Sequence, residues 1–187
     1  LPVKVGSVAL DAHAHFSKMQ LLSLDRVSQL ALIAAEQAMH TADLTHSDID
    51  PLKMGVFWGT ASGGTESTEH AYASFFGVGG DRKKPLTVPA AMQHAPAAQI
   101  AMRFSIGGEC QTYSAACSSA AVAIGEAFQR IRQGHRSAAL AGGSEAPLVP
   151  GFMDSWMKLQ VLCADPEDGR GTACRPFSVD RCGFAMA

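Results

Sequence analysis

This 187-residue chain has few charged residues, no long apolar stretch and no repeats, and each of these absences excludes a class of protein. Charged residues make up only 17% and the formal net charge is −2, so there is no excess of positive charge for binding nucleic acid or an anionic membrane surface. The apolar stretches end well short of the ~20 residues that cross a bilayer. Low-complexity tracts and short-period repeats are absent as well. The 47% of hydrophobic residues is nevertheless ample for the core of one globular domain.

The cysteines are few and irregularly spaced. There are five, an odd number in a chain longer than most disulfide-rich secreted domains, so we expect reduced thiols and a cytoplasmic location. None of them forms the short Cys-x-x-Cys type of pair found in structural zinc sites. Asp165 and Asp180 lie nearby in sequence, but we predict that the chain binds no metal. The five are Cys110, Cys117, Cys163, Cys174 and Cys182.

Short apolar runs alternate with helical patterns along the chain. Buried-strand patterns occur at 54–58, 111–116 and 137–141, and residues 3–10 resemble a strand or an extended arm. Strands that alternate with helices predict an α/β fold with a mainly parallel sheet. The predicted helices begin at Ser23 or Asp25 and cover, further along, residues 65–76, 97–104 and 118–133.

Two of these helices carry expectations about burial. In the first, apolar residues recur at helical spacing and predict one buried face. The helix 118–133 is apolar almost all round at its start, so we expect its first turns to be buried, and Gly134 is placed to end it. Pro89 and Pro96 each suit the first turn of a helix. The predicted buried face of the first helix consists of Val27, Leu30, Ala31, Ala34, Ala35 and Ala38.

Cys117 is the best candidate for a catalytic nucleophile. It lies where the predicted strand 111–116 turns directly into the helix 118–133, which presents the thiol at a helix N-terminus. Unpaired N–H groups and the helix dipole favour an anion there, and helix N-termini in general favour the nucleophilic thiolate. The alternative is an inert buried thiol, which is common among free cysteines, and position alone leaves both interpretations open.

Other polar groups have simpler interpretations. The glycine-rich loop 59–64 lacks the Gly-Lys-Ser/Thr ending of a phosphate-binding loop, so we predict no nucleotide and no other cofactor. His13 and His15 have no third ligand near them in sequence, which is typical of surface residues rather than of a metal site. His94 is interpreted as a structural histidine. The basic run 82–84 is either a solvated loop or a docking surface for an acidic partner.

An ordered set of short motifs runs along nearly the whole chain. The motifs are Leu24-Asp25-Arg26, Gly59-Thr60 with Gly63-Gly64, Pro89, Gly107-Gly108, Ala116-Cys117-Ser118-Ser119, Ala123-Ile124-Gly125-Glu126-Ala127, Ile131-Arg132-Gln133-Gly134, Leu140-Ala141-Gly142-Gly143-Ser144-Glu145-Ala146 and Arg175-Pro176-Phe177. Each motif alone would be weak, but the ordered set is highly specific. It resembles the β-ketoacyl synthases, the condensing enzymes of fatty-acid and polyketide assembly.

The resemblance implies a thiolase-like fold, a five-layer α/β/α/β/α arrangement of two similar halves. Residues 1–187 would form most of the first half, as one β-ketoacyl synthase N-terminal domain that is incomplete at both ends. We expect the chain to be an internal piece of a longer polypeptide. The family's two catalytic histidines, its lysine and the phenylalanine that supplies the second oxyanion donor would then lie outside these residues.

The resemblance also implies a reaction and partners. Cys117 would accept an acyl group from acyl carrier protein, and its backbone N–H would be one donor of the oxyanion hole. Decarboxylative condensation with malonyl-carrier protein would then lengthen the acyl chain by two carbons. The strand before Cys117 resembles the one that pairs across the twofold axis of the family's homodimer, so an isologous dimer is implied.

Four positions depart from the family's usual residues. Ala115 stands where threonine is usual, His94 where asparagine is usual, Ser178 in place of aspartate, and Cys182 in place of an acidic or amide residue. None of these removes the nucleophile, but the last two indicate a divergent or specialised subgroup. Three alternatives stay open: a non-condensing partner subunit that shapes chain length, a thiolase acting on coenzyme A thioesters, and a fragment that folds or dimerises without chemistry.

Overall fold

The computed structural model describes residues 3, 5–44, 48–77, 85–163 and 174–187. They belong to two compact units, a larger one of residues 11–145 and a smaller one of residues 1–10 and 146–187. In chain order, the elements of the larger unit are α1 (Lys18–Leu21), α2 (Arg26–Thr41), β1 (Met54–Gly59), α3 (Thr65–Phe76), α4 (Thr87–Ala91), α5 (Ala95–Arg103), β2 (Cys110–Tyr113), α6 (Ser119–Arg132) and β3 (Ala138–Gly143). The smaller unit contains α7 (Pro150–Lys158).

A three-stranded parallel sheet organises the larger unit. The strand order is β2-β1-β3, and Val56 in the middle strand lies opposite Cys110 on one side and Leu140 on the other. All six residues of β1 are buried, as expected for the central strand of a parallel sheet covered on both faces. The predicted α/β fold with a parallel sheet is therefore confirmed.

The two faces of the sheet bury different sets of side chains, because successive residues of a strand point to opposite sides. Val56 and Trp58 belong to a core cluster with residues of α2 and α5, including Ile100. Phe57, between them, packs instead with Ala123 and Ala127 of α6. Complete burial of a side chain such as Phe57 contributes about 1.5–3 kcal/mol, so the alternation anchors α6 on its own face of the sheet.

Helix α2 begins as the sequence predicts, although its buried face differs. The Asp25 side chain accepts a hydrogen bond from Val27 N at 3.0 Å, which is the usual way in which an aspartate caps a helix N-terminus. The prediction is wrong for Ala34 and Ala38, which are exposed. Several alanines at overlapping helical spacings fit two neighbouring faces equally well, and the larger side chains decide between them. The buried residues are Val27, Ser28, Ala31, Leu32, Ala35 and Met39.

Most of the other predicted helix boundaries agree with the structure, whereas the predicted strand at residues 3–10 does not. Both predicted ends of helix Thr65–Phe76 are confirmed. Pro89 lies in the first turn of α4 and Pro96 in that of α5. Gly134 follows α6 with φ of 73°, which is the left-handed conformation of a helix-terminating glycine. Residues 3–10 form no regular strand among those described, since Val5 makes only an isolated bridge with Met186.

The expectation that the first turns of α6 are buried is wrong for much of their surface. Only one side of α6 packs on the sheet, and its buried residues are Ser119, Ala123 and Ala127. The opposite side is apolar and exposed, with Ile124 at 52% and Phe128 at 57% of their full accessible area. An apolar composition therefore did not reveal which side of this helix meets the sheet.

The smaller unit contains a short pairing of two extended segments. Leu162 forms a parallel bridge with Phe184, and Cys163 N donates to Phe184 O at 2.9 Å. On α7, Trp156 packs edge-to-face with both Phe152 and Phe184, an arrangement that aromatic rings prefer. In the part of the chain that the structure describes, no helix is long and apolar enough to cross a membrane.

Candidate functional site

Cys117 lies in a tight turn between the end of β2 and the start of α6. The strand ends at Tyr113, three residues earlier than predicted, and the helix begins after its N-cap, Ser118. Ala116 has φ of 49°, in the left-handed region, where a residue other than glycine costs about 1–3 kcal/mol. That backbone conformation turns the chain towards the helix after the strand has ended. The Cys117 residue is exposed.

Two serine hydroxyls after the cysteine hold this turn in place. Ser118 Oγ donates to Ala115 O at 2.7 Å. Ser119 Oγ donates to Ala116 O at 2.6 Å and accepts from Ala115 N at 2.8 Å. These bonds satisfy backbone groups that the strained turn removes from regular structure. The Ser-Ser pair of the sequence motif therefore has a structural task, which is to fix the backbone on either side of Cys117.

The backbone N–H of Cys117 is available to a ligand. Among the residues that the structure describes, no acceptor lies within hydrogen-bonding geometry of this N–H. It lies next to the thiol at the start of a 14-residue helix, where the helix dipole adds to its attraction for negative charge. An oxyanion that develops beside Cys117 Sγ would therefore find one donor already in position.

Glycines at the ends of β1 and β3 let the first turn of α6 pack directly on the sheet. A Cβ atom added at Gly59 would lie 2.3 Å from Ser119 C, and one added at Gly143 would lie 2.7 Å from Ala120 Cβ. Neither position can carry a side chain without a shift of the helix. This close packing places the turn that contains Cys117 at the carboxyl edge of the sheet, where ligands of α/β proteins bind.

The carboxylate of Glu145, just beyond β3, binds the loop that follows β1. Its oxygens accept from Thr60 Oγ1, from Ala61 N at 3.1 Å and from Ser62 N at 3.1 Å. The Ser62 hydroxyl donates to the same carboxylate at 3.3 Å. We refer to this carboxylate and residues 60–62 as the Glu145 clamp. An internal carboxylate therefore already accepts from the N–H groups of Ala61 and Ser62.

Among the remaining cysteines, Cys163 is buried and the other three are exposed. Cys163 is fully buried; burial, followed by the charges of Cys174 and Cys182, raises the pKa of its thiol. His13, His15 and His94 are exposed. Across the described ranges, no group of three or more His, Cys, Asp or Glu side chains could hold a metal ion. Asp165 and the basic run 82–84 lie outside the described residues.

Ser178, one of the unusual residues near the Arg-Pro-Phe motif, makes a local hydrogen bond in the smaller unit. Ser178 Oγ donates to Asp180 Oδ1, and Arg175 forms an ion pair with Asp180 at 2.8 Å. The hydrogen bond from the Ser178 hydroxyl, together with the backbone hydrogen bond of Asp180 and the Arg175 charge, holds the pKa of Asp180 below its ordinary value, although burial acts in the opposite direction. Ser178 thus organises the loop, while nothing in the structure explains Cys182.

Comparison with known sequences assigns the chain to a family. The family described as "Beta-ketoacyl synthase, N-terminal domain" matches residues 6–187. The Nodulation protein E of Rhizobium meliloti (strain 1021) is 38% identical over 178 residues, which cover 95% of this chain and 42% of that protein. The 3-oxoacyl-[acyl-carrier-protein] synthase 2 of Staphylococcus aureus (strain N315) is 31% identical over 172 residues, 92% of this chain and 41% of that protein. The chain thus spans about two fifths of the length of these curated relatives.

Comparison with solved structures supports the same fold. A β-ketoacyl synthase from Burkholderia phymatum STM815 superposes with a TM-score of 0.74 at 24% sequence identity. The superposition covers 95% of this chain and 43% of that one. The thiolase-like fold expected from the sequence is confirmed by this likeness, with the chain corresponding to less than half of the solved structure.

Proposed function

The chain belongs to the β-ketoacyl synthase family, and on that premise we propose that Cys117 is the nucleophile of a 3-oxoacyl-[acyl-carrier-protein] synthase. The observation that carries the proposal is the geometry of the turn. An exposed thiol lies beside an unpaired backbone N–H at the start of α6, and the glycines of the carboxyl edge let that helix pack closely on the sheet. Residues 1–187 belong, in this proposal, to one N-terminal domain of such a synthase.

The acyl-transfer step follows from these groups. Cys117 Sγ, as the thiolate, attacks the carbonyl carbon of an acyl thioester, and the Cys117 N–H stabilises the oxyanion that forms. When the tetrahedral intermediate collapses, the bond between the acyl carbon and the carrier's sulfur breaks. The carrier leaves as a thiolate that takes up the proton originally lost by Cys117, and the acyl group remains on the protein as a thioester.

The second half-reaction and the partners complete the proposal. Malonyl-carrier protein loses CO2 to give a carbanion, which attacks the acyl carbon of the acyl-enzyme. The bond between that carbon and Cys117 Sγ then breaks, so that Cys117 leaves as the thiolate and the acyl chain, now two carbons longer, stays on the carrier. The partners are acyl carrier protein and a second copy of this chain. Support for the dimer comes from β2, an edge strand whose outer side has no strand paired with it among the described residues. A cytoplasmic location is proposed because no disulfide joins any of the five cysteines.

An acylation assay tests the proposed nucleophile. We expect the protein, incubated with an acyl-[acyl carrier protein] thioester, to release free carrier thiol in a burst that equals the amount of protein. Cys117→Ala should abolish this burst, while Cys110→Ala, which changes a thiol at the start of β2, should preserve it. A burst that persists in Cys117→Ala would reject the assignment.

The same assay separates the alternatives left open by the sequence. A non-condensing partner subunit or an inert fragment would give no burst with any thioester. A thiolase-type enzyme would give the burst with acyl-coenzyme A in preference to the acyl carrier protein thioester.

A further inference from the structure

The Glu145 clamp connects two strands of the sheet to the turn that contains Cys117. Thr60, which donates to the Glu145 carboxylate, is almost completely buried, and its backbone N–H donates to Tyr113 O at 3.1 Å. Tyr113 is the last residue of β2, four positions before Cys117. The carboxylate is therefore connected to β2, the strand that precedes the turn, through the Thr60 side chain and one backbone hydrogen bond.

A second connection runs through the neighbour of Glu145. Ser144 N donates to Gly59 O at 3.1 Å, and Gly59 is the residue against which Ser119 and Ala120 of α6 pack. Residues 144 and 145 thus each bind the end of β1. Ser144 binds Gly59 beside the start of α6, and Glu145 binds Thr60 beside the end of β2. Both supports of the turn, the strand before it and the helix after it, are fixed relative to the same segment.

From these contacts we infer that Glu145 is a positioning residue for Cys117, acting through loop 60–62 and the end of β2. This role rests on the proposed function of Cys117 as the nucleophile. A turn with a left-handed alanine at its centre persists only where the surrounding structure holds it, and the Glu145 clamp is the part of that surrounding structure with the most hydrogen bonds to one side chain. Both carboxylate oxygens already accept hydrogen bonds, which fits holding a loop better than transferring a proton.

The reactivity of Cys117 measures its positioning without any acyl transfer. The rate of its alkylation by iodoacetamide can be followed by mass spectrometry and divided by the rate at Cys174, an exposed thiol of the smaller unit. In Glu145→Gln, which keeps the size of the side chain and removes its charge, we expect this ratio to fall about tenfold because the turn relaxes. Loss of the negative charge by itself would favour a thiolate nearby, so an electrostatic effect alone would raise the ratio.

A matched control separates positioning from loss of stability. Ser144→Ala removes the hydroxyl that accepts from Trp58 Nε1 at 3.0 Å and leaves the Glu145 carboxylate and its donors in place. We expect it to lower the melting temperature without lowering the alkylation ratio. Thr60→Val, which removes one donor to the carboxylate and keeps the shape of the side chain, should lower the ratio in the same direction, and it decides the question if Glu145→Gln does not fold.

The outcomes are distinct from those of the acylation assay. An alkylation ratio that is unchanged or raised in the folded variants would overturn the positioning role, even if Cys117 takes up an acyl group normally. Failure of the wild-type protein to accept an acyl group would overturn the proposed function, whereas the alkylation ratio would still report on the Glu145 clamp.

Discussion

Cys117 and Cys163 provide a comparison between two regions of the molecule. Both cysteines lie next to a short extended segment, and neither forms a disulfide. At Cys117 the backbone N–H has no acceptor in the described part of the chain and the residue is exposed, whereas Cys163 N donates to Phe184 O and the residue is fully buried. The same side chain is therefore presented to solvent in one region and used as a small apolar core residue in the other.

The two cysteines differ in the conformation of the backbone around them. The strand before Cys117 ends at Tyr113 and a left-handed alanine follows at position 116, while the helix after the turn packs against glycines of the sheet edge. The segment at Cys163 is instead paired with Phe184, through the bridge at Leu162 and the hydrogen bond from Cys163 N. A thiol becomes available for chemistry here because the chain turns at that residue and because the surrounding packing prevents the turn from relaxing.

The largest expected effect is on alkylation. In the native protein at neutral pH, iodoacetamide should modify Cys117 on the order of 100-fold faster than Cys163, because the buried thiol reacts only after local opening. The raised pKa of the Cys163 thiol lowers its thiolate fraction at any given pH, so its rate should continue to rise at a pH where an ordinary thiol has levelled off. In urea the two rates should converge. Equal rates in the native state would remove the basis of the comparison.

A smaller effect is expected from filling the space beside the helix start. Gly59→Ala forces a shift between β1 and α6, and we expect a loss of about 1–3 kcal/mol in the free energy of unfolding. Gly125→Ala is the matched control, since a Cβ there meets nothing within 4 Å, and in a helix this change should stabilise by about 0.5–1 kcal/mol. Urea denaturation of both variants measures the difference. Equal stability of the two would contradict the close packing.

The smallest effect concerns the loop of the smaller unit. The pKa of Asp180 is lowered in the folded protein by Ser178, by its own backbone and by Arg175, so the ionised form contributes stability above the unfolded pKa. That contribution is lost as the pH falls through the lower, folded pKa. Ser178→Ala should move the Asp180 titration, followed by NMR, back towards its ordinary value while Cys117 alkylation stays unchanged. An unmoved titration would show that the serine does not organise this loop.

Local signals predicted much of the fold and the place of Cys117 between a strand and a helix. The cap at Asp25, the glycine at 134 and both ends of helix Thr65–Phe76 follow from residues within one turn of each boundary. The choice between the faces of α2 and of α6 did not follow, because alanine-rich helices fit several orientations until larger partners are known. Helix spacing alone therefore left Ala34 and Ile124 on the wrong side.

The Glu145 clamp was not predicted from the sequence. Its carboxylate and its donors are more than 80 residues apart in the chain, and no local pattern joins them. The one available signal is an acidic residue two positions after a strand that ends in two glycines, since the carboxyl ends of parallel strands meet at one edge of a sheet. Long-range contacts of this kind depend on the topology, which the strand order β2-β1-β3 supplies.

The most direct test of the central claim is a peptide map of the wild-type protein after incubation with an acyl-[acyl carrier protein] thioester at neutral pH. All five cysteines are scored together for a hydroxylamine-sensitive acyl group. We expect the acyl group on the peptide that contains Cys117, with the other four thiols unmodified. Acylation of another cysteine while Cys117 stays unmodified would contradict the claim that the turn at the carboxyl edge presents the nucleophile.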